Sequence, residues 1–323
     1  MNKRRSKLKK RLRANKTGRY DLDRCALFGV KELSVLSALL QTGNRSFRQT
    51  SEAPEFSKWI DTSKPLKPRD IQDPRGLTER LHYRLCELLD RVVKPAYLHS
   101  ATRKRSATTN AETHISRAPC VTTDMKSFYE STSTEQVAGF FRNDLCMAPD
   151  LAWKLATLCT VDGHLPTGSP LSPSLAFWAH RDTFERLHAL SQSMNIVMTV
   201  YVDDLTFSGI RASLTFLHVV KRLLRQRGLH THKDKSFGAG QYKHITGAVV
   251  DCRRAFVPNH RLKKIVDSID ALQSVTDPEQ LEKLHRSLSG RIASAAAISR
   301  WTAAALKRRR GERSLIAAAP SPR

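Results

Sequence analysis

Hydrophobic positions recur along this chain in two rhythms, one near every third or fourth residue and one alternating. Leu33, Leu36, Leu39 and Leu40 keep helical spacing within Asp21 to Leu40. Leu81, Leu85, Leu88, Leu89 and Val92 lie on one face of Leu77 to Val93, which predicts an amphipathic helix. Between these, Gly43 to Pro74 is interrupted by Pro54, Pro65, Pro68 and Pro74 and reads as a turn-rich, loop-bearing lobe. Ser100 to His114 is basic and lacks a hydrophobic stripe, so it predicts a binding loop that leads into a short helix.

Alternation takes over at Cys120 to Asp124, a predicted buried strand whose end delivers Asp124. Helical text follows at Thr134 to Phe141 and at Asp150 to Leu158. A Gly/Pro turn then opens a long predicted helix from about Pro173 to Leu190. The run NIVMTVYVDDLTFSG predicts a β-hairpin with Asp203 and Asp204 as its two-residue turn. A helix over Ser213 to Arg227 ends at Gly228, and Tyr242 to Asp251 reads as a strand pair around Gly247. The remainder is α: Arg261 to Gln273 carries an apolar stripe, and Asp277 with Pro278 and Gln280 has the form of an N-cap, N1 and N3. No internal repeat is visible.

Composition narrows the classes. The 323 residues are 40% hydrophobic and 26% charged, enough for two or three compact subdomains and unlike a disordered chain. No apolar run is long enough to span a bilayer, and the basic start lacks the apolar segment of a secretory signal. A location inside the cell is therefore expected, with no membrane partner. Six scattered cysteines without a C-x-x-C pair predict reduced, mostly buried thiols.

Charge changes the picture more. Fifty-five Lys and Arg against thirty Asp and Glu leave a net charge of +25, which excludes an ordinary metabolic enzyme surface and points to a polyanion, nucleic acid foremost. The first twenty residues hold ten Lys or Arg and no acid, and Lys307, Arg308, Arg309 and Arg310 repeat the pattern near the other end. These segments read as phosphate contacts or as solvated tails.

Against that background Asp124, Asp203 and Asp204 carry the chemistry. Three gathered carboxylates repel one another unless a hard divalent cation such as Mg²⁺ neutralises them. In a two-metal site one ion activates an attacking hydroxyl, and the other holds the nucleotide phosphates and leaving group. A single Asp-Asp pair is ordinarily a turn or cap. Here it lies between two apolar strands, with an Asp-bearing strand about 80 residues upstream and a Gly/Pro turn and helix in between.

These segments, in this order, resemble reverse transcriptases. Tyr201-Val202-Asp203-Asp204 is similar to their catalytic hairpin, Val121 to Tyr129 to their first catalytic strand, and Leu165 to Ala176 to the turn-helix that cradles template and nucleotide. Three further segments resemble the bacterial retron branch. Asn110 to His114 is similar to its N-A-x-x-H signature, Gly228 to Ser236 to its G-x-x-x-N-x-x-K-T element, and Ile245-Thr246-Gly247 to its V-T-G signature. Departures are Thr167 where Gln is usual, Leu171 for Thr, Ile245 for Val and His232 for Asn.

The resemblance implies an α+β right-hand polymerase fold. The basic tail would occupy 1–20, and fingers 21–118 and about 134–165. The palm would take 119–133 and 166–250, and a helical thumb with a basic C-terminus 251–323. Asp124, Asp203 and Asp204, with the Met125 carbonyl, would hold two Mg²⁺ ions, with Mn²⁺ a substitute. Lys235 would serve the leaving pyrophosphate or the triphosphate. Tyr129 would gate the sugar in favour of dNTPs, with Arg103, Lys104, Arg105, Thr167 and Gly168 near nucleotide or template. Asn110, His114, Thr246, Gly247 and the cluster Lys307 to Arg310 would meet RNA, although Asn110 and His114 read equally as ties between a loop and a helix start. Lone tryptophans such as Trp59, Trp153, Trp178 and Trp301 read as core.

The implied activity is RNA-directed DNA synthesis on a cognate noncoding RNA of msr-msd type, primed from a guanosine 2′-OH to give branched msDNA. The implied setting is anti-phage defence with a separately encoded effector. The alternatives are a group II intron-like or diversity-generating reverse transcriptase and, from another class, a non-catalytic RNA-binding scaffold on a polymerase fold.

Overall fold

The computed structural model describes residues 19–63, 68–272, 274–275, 277–299, 304, 306 and 308. Its centre is a four-stranded antiparallel sheet in the order β4-β5-β3-β6, formed by β3 (Cys120–Met125), β4 (Val197–Tyr201), β5 (Asp204–Ser208) and β6 (Thr231–Phe237). Strand β3 is central, which suits Cys120, Val121, Thr123 and Met125, all buried.

Helices cover this sheet. Strand β4 is preceded by α7 (Ser172–Ala179) and α8 (Arg181–Ser193), and β5 is followed by α9 (Leu214–Arg225). Phe216, Leu217, Val220 and Leu224 bury one face of α9, with Phe216 meeting Phe207 of β5 edge-on at 5.2 Å. The single long helix expected from Pro173 to Leu190 is two helices. The chain bends at His180, whose Nε2 lies 3.1 Å from Thr132 Oγ1, and the bend stacks Phe177 on Phe184 at 5.6 Å.

The N-terminal part differs from expectation in two places. Asp21 to Leu40 is a 3₁₀ turn (Leu22–Arg24) followed by α1 (Leu33–Leu39). The stretch read as a loop-bearing lobe contains α2 (Asn44–Glu52) and a hairpin of β1 (Phe56–Asp61) and β2 (Arg69–Pro74). The hairpin escapes a pattern reading because its strands are largely exposed and flanked by prolines, so no side is clearly apolar. Helix α3 (Gly76–Leu89) matches its stripe, burying Leu81, Leu85, Leu88 and Leu89.

The short helix α4 (Ala107–Glu112) is closed by a capping box between Ser106 and Thr109. Helices α5 (Thr134–Gly139) and α6 (Pro149–Cys159) join the main core, which runs from Cys25 to Leu229. A second sheet, β7 (Lys243–Ile245), β8 (Ala248–Val250) and β9 (Ala255–Phe256), packs Ile245, Ala248 and Val250 on Ala111 of α4 and Cys120 of β3. Helices α10 (Asn259–Ala271) and α11 (Pro278–Ile298) have their own core around Ile265, Ile269, Leu288 and Ile292. Asp277 caps α11 with Pro278 at its start, as expected.

No disulfide joins any of the six cysteines, and Cys146 and Cys252 are exposed. Trp178 is buried, whereas Trp59 and Trp153 are about half exposed; Trp301 lies outside the described residues. Among the described residues no helix is long and apolar enough to cross a membrane.

Candidate active site at the β4-β5 turn

The three aspartates come together through strand register. Strand β3 pairs with β5 so that Asp124 stands opposite Asp204, and Met125 N donates to Asp203 O at 2.8 Å. Tyr201 pairs with Asp204, so the two-residue turn is Val202-Asp203 rather than Asp203-Asp204. Val202 adopts φ 58°, a left-handed conformation that is costly for a β-branched residue and is held only because the flanking strands over-determine it.

Burial raises the Asp203 carboxyl above its usual range, with the charge of Asp124 adding to it. Asp204 is pushed up to about 6, first by burial and then by Asp203 and Asp124. The pair is thus in mutual repulsion that a bound cation would relieve. Tyr129 is partly buried with Asp203 and Tyr201 close by, and burial raises its hydroxyl pKa, so it stays protonated.

Strand β6 supplies what the sequence alone did not. Its pairing slips between Thr122 and Asp124 of β3, so Lys233 and Asp234 together face Thr123, and Lys233 takes φ 56°. This bulge brings His232 Nε2 to 2.9 Å from Asp124 Oδ1 and Lys233 Nζ to 3.0 Å from Oδ2. It is fastened from behind: Asp234 accepts from Thr123 Oγ1 at 2.6 Å and pairs with Lys221 of α9 at 2.5 Å.

Lys235 pairs with Thr122 and lines a cavity of about 260 Å³ together with Asp124, Asp204, Lys233, Thr246 and Gly247. Among the described residues no three His, Cys, Asp or Glu side chains close a metal cage by themselves. The donor set nonetheless fits Mg²⁺: hard carboxylate oxygens, two of them strained by repulsion, beside an open cavity where phosphate oxygens would complete the coordination.

Several of the other expected contact residues are tied into the protein itself. Asn110 and His114 are fully buried and bonded within the protein, which favours the reading as ties between a loop and a helix start. The His114 ring bridges Ser208 Oγ at 2.7 Å and Thr199 Oγ1 at 2.8 Å, and Asn110 Nδ2 donates to Thr246 Oγ1 at 3.3 Å. Thr246 in turn donates to Ala107 O at 2.7 Å, so the two retron-like signatures hold each other.

Arg105 is also engaged within the protein. Its guanidinium donates to the carbonyls of Pro95 and Leu98, next to the bridge from Leu98 to Val200 of β4. Thr167 Oγ1 donates to Asp70 O at 2.6 Å and Gly168 N to Gln72 O at 3.0 Å, so the turn before α7 is clamped to β2. His82 of α3, whose role the sequence did not reveal, grips the same turn through Ser169 Oγ at 2.7 Å.

Gly168 has to be glycine, because a Cβ there would sit 2.7 Å from Gln72 O and 3.0 Å from Asp73 Cα. Gly168→Ala should therefore lower stability by about 1–3 kcal/mol, seen as a fall in melting temperature. An unchanged melting temperature would show that β2 shifts freely.

Arg103 is exposed and lines a cleft of about 800 Å³ with Arg19, Arg91 and Pro170. Arg308 is exposed and helical; Lys307, Arg309, Arg310 and the basic residues 1–18 lie outside the described residues.

Fold and site define the class: an α+β fold with an acidic turn on its central antiparallel sheet. The sequence comparisons narrow it further, for the chain is similar to retron-type reverse transcriptases. No protein-family model matches it. The retron Se72 reverse transcriptase of Salmonella heidelberg is 27% identical over 154 residues, covering 46% of this chain and 40% of that protein. The retron Mx162 reverse transcriptase of Myxococcus xanthus is 25% identical over 251 residues, 68% of this chain and 52% of that protein. The retron Ec86 reverse transcriptase of Escherichia coli is 22% identical over 251 residues, 76% and 75%. The chain thus spans about half the length of the first two. A telomerase structure from Candida albicans with a fragment of telomeric RNA superposes with TM-score 0.47 at 10% identity, over 83% of this chain and 61% of that one.

Proposed function

We propose that this chain is the RNA-directed DNA polymerase of a retron, which copies part of a structured noncoding RNA into single-stranded DNA. The observation that carries the reading is Asp124 opposite Asp204, with Asp203 in the adjoining turn and both β5-side carboxyls raised in pKa. Two Mg²⁺ ions bound by these residues would activate the primer hydroxyl and neutralise the triphosphate and leaving pyrophosphate.

The chain's own residues do the rest. Tyr129, beside Asp203, bounds the space for the sugar, where its ring would exclude a 2′-OH. Lys235 faces the same cavity as Asp124 and Asp204 and would hold or protonate the pyrophosphate. Arg103 and the cleft cations would take template phosphates, and Thr246 and Gly247 would meet nucleic acid where they line the cavity. Fingers, palm and thumb would follow the divisions read from the sequence. Priming from a guanosine 2′-OH, a branched product and a role in anti-phage defence with a separate effector complete the reading.

Lys233 gives it a handle. Because its ammonium competes for Asp124, Lys233→Ala should lower the Mg²⁺ concentration for half-maximal synthesis by about 2–5-fold, the scale of an exposed ion pair. A Mg²⁺ titration of primer extension reads this directly, and an unchanged midpoint would mean that Lys233 leaves Asp124 before the ion arrives.

The whole proposal is tested by purifying the protein from cells that carry its native neighbouring DNA. The copurifying nucleic acid is run on a denaturing gel with and without RNase, beside the Asp203→Asn/Asp204→Asn variant. A short DNA that shifts on RNase treatment and is missing from the variant is expected. RNA alone in both samples would favour a binding scaffold, and unbranched DNA another reverse transcriptase class.

A further inference from the structure

The sheet β7-β8-β9 has one face buried on α4 and β3; on the other, His244 is exposed while Val249 and Phe256 are half-buried. His244, Val249 and Phe256 pair across the three strands, so their side chains stand in a row on this outer face. Two more aromatics extend the row. Tyr242, 62% exposed and two residues before His244, meets Phe256 edge-on at 6.0 Å, and Phe237 stacks on His244 at 6.4 Å.

Cations border these rings. The turn between β8 and β9 is tied by Asp251, whose carboxylate accepts the amides of Arg253 and Arg254 at 2.6 and 2.8 Å and is held below its usual range by those bonds. The turn therefore presents both arginines to solvent, and the Arg254 guanidinium lies 4.8 Å above the Phe256 ring. The row is continuous with the active site, since His244 also lines the cavity of Asp124, Asp204 and Lys235.

We infer that this outer face is a stacking platform for unpaired RNA, which it holds where the strand leaves the catalytic cavity. Rings on either side of Val249, at the edge of a cationic surface, suit splayed-out bases: an exposed ring such as Tyr242 or a guanidinium offers a π-face to a base, and its phosphate meets a neighbouring cation. Aromatic and arginine side chains also suit a folded protein partner, but continuity with the catalytic cavity through His244 favours the nucleic-acid strand that the cavity serves. Duplex RNA keeps its bases stacked inside and cannot use the rings. The inference rests on the polymerase reading above and adds to it a site for the unpaired part of the RNA.

Tyr242 is the residue to test, because it is exposed and its loss leaves the buried face intact. Tyr242→Ala should weaken binding of a short unpaired RNA oligonucleotide by about tenfold, the scale of one lost base-aromatic stack, while Tyr242→Phe binds like the wild type. Binding of a blunt, fully paired RNA duplex should be unchanged by either variant, as should extension of a generic annealed primer-template. Wild-type affinity for unpaired RNA in Tyr242→Ala would overturn the platform. So would a loss confined to single-stranded DNA of the same sequence, or equal losses in Tyr242→Ala and Tyr242→Phe. Absence of primer extension in the wild-type protein would instead overturn the polymerase reading, whatever Tyr242 does.

Discussion

Replacing Asp203 and Asp204 together by Asn should abolish primer extension and, at the same time, make the metal-free protein more stable. Both effects come from one cause. Asp204 is pushed up to about 6 and Asp203 is raised as well, because they are buried beside each other and beside Asp124. A carboxyl whose folded pKa is raised binds its proton more tightly in the folded state. Its adverse contribution is therefore absent at low pH and grows as pH rises through about 6. The double variant should then melt higher than wild type at pH 7–8, by on the order of 1–3 kcal/mol, and no higher near pH 4.

Excess Mg²⁺ should reverse the order, since an ion that binds only the folded wild type stabilises it by mass action. Extension should fall by at least about a thousandfold, because no other described carboxylate stands opposite Asp124 to share an ion. Thermal melts across pH with and without Mg²⁺, alongside primer extension, read all three effects. Equal melting temperatures at pH 8 without metal would show that the carboxylates do not repel, and normal extension would remove them from the metal site.

What the sequence reveals of this site follows from which interactions are local. The acidic turn is legible because apolar runs frame it, and β3 because it alternates and carries Asp124. The turn itself is displaced by one residue from the expected position, since Asp204 belongs to β5 and pairs with both Tyr201 and Asp124. Only cross-strand register decides that. Strand β6 is illegible because it is an edge strand reading Thr-His-Lys-Asp-Lys-Ser-Phe, with polar side chains on both faces. For the same reason the hold of His232 and Lys233 on Asp124 cannot be read: it depends on a bulge opposite Thr123, a property of the pair of strands. The β1-β2 hairpin is hidden likewise, although through Gln72 it clamps the turn at Gly168.

The N-A-x-x-H segment is the instructive case, because its residue types suit RNA contact and structural support equally, and burial alone separates the two. His114→Ala should destabilise the protein by about 3–5 kcal/mol. It removes the ring and leaves two hydroxyls, Thr199 Oγ1 and Ser208 Oγ, buried without their partner in the strands that carry the acidic turn. For a chain of this size that is a fall of roughly 10 °C in melting temperature.

The pH dependence runs opposite to that of the aspartates. His114 is lowered to about 3, chiefly by burial and then by the Lys243 ammonium, which donates to His114 O at 3.0 Å. A histidine whose folded pKa is depressed contributes stability that is present above about 6.5 and is lost as pH falls toward 3. Wild type should therefore lose stability between pH 6.5 and 4 through His114, and His114→Gln, which cannot protonate there, should flatten that slope. An RNA-contacting His114 would behave otherwise: His114→Ala would keep the wild-type melting temperature and pH slope, and only RNA affinity would fall. Melting curves of the two variants at pH 5 and 7.5, without RNA, decide between them.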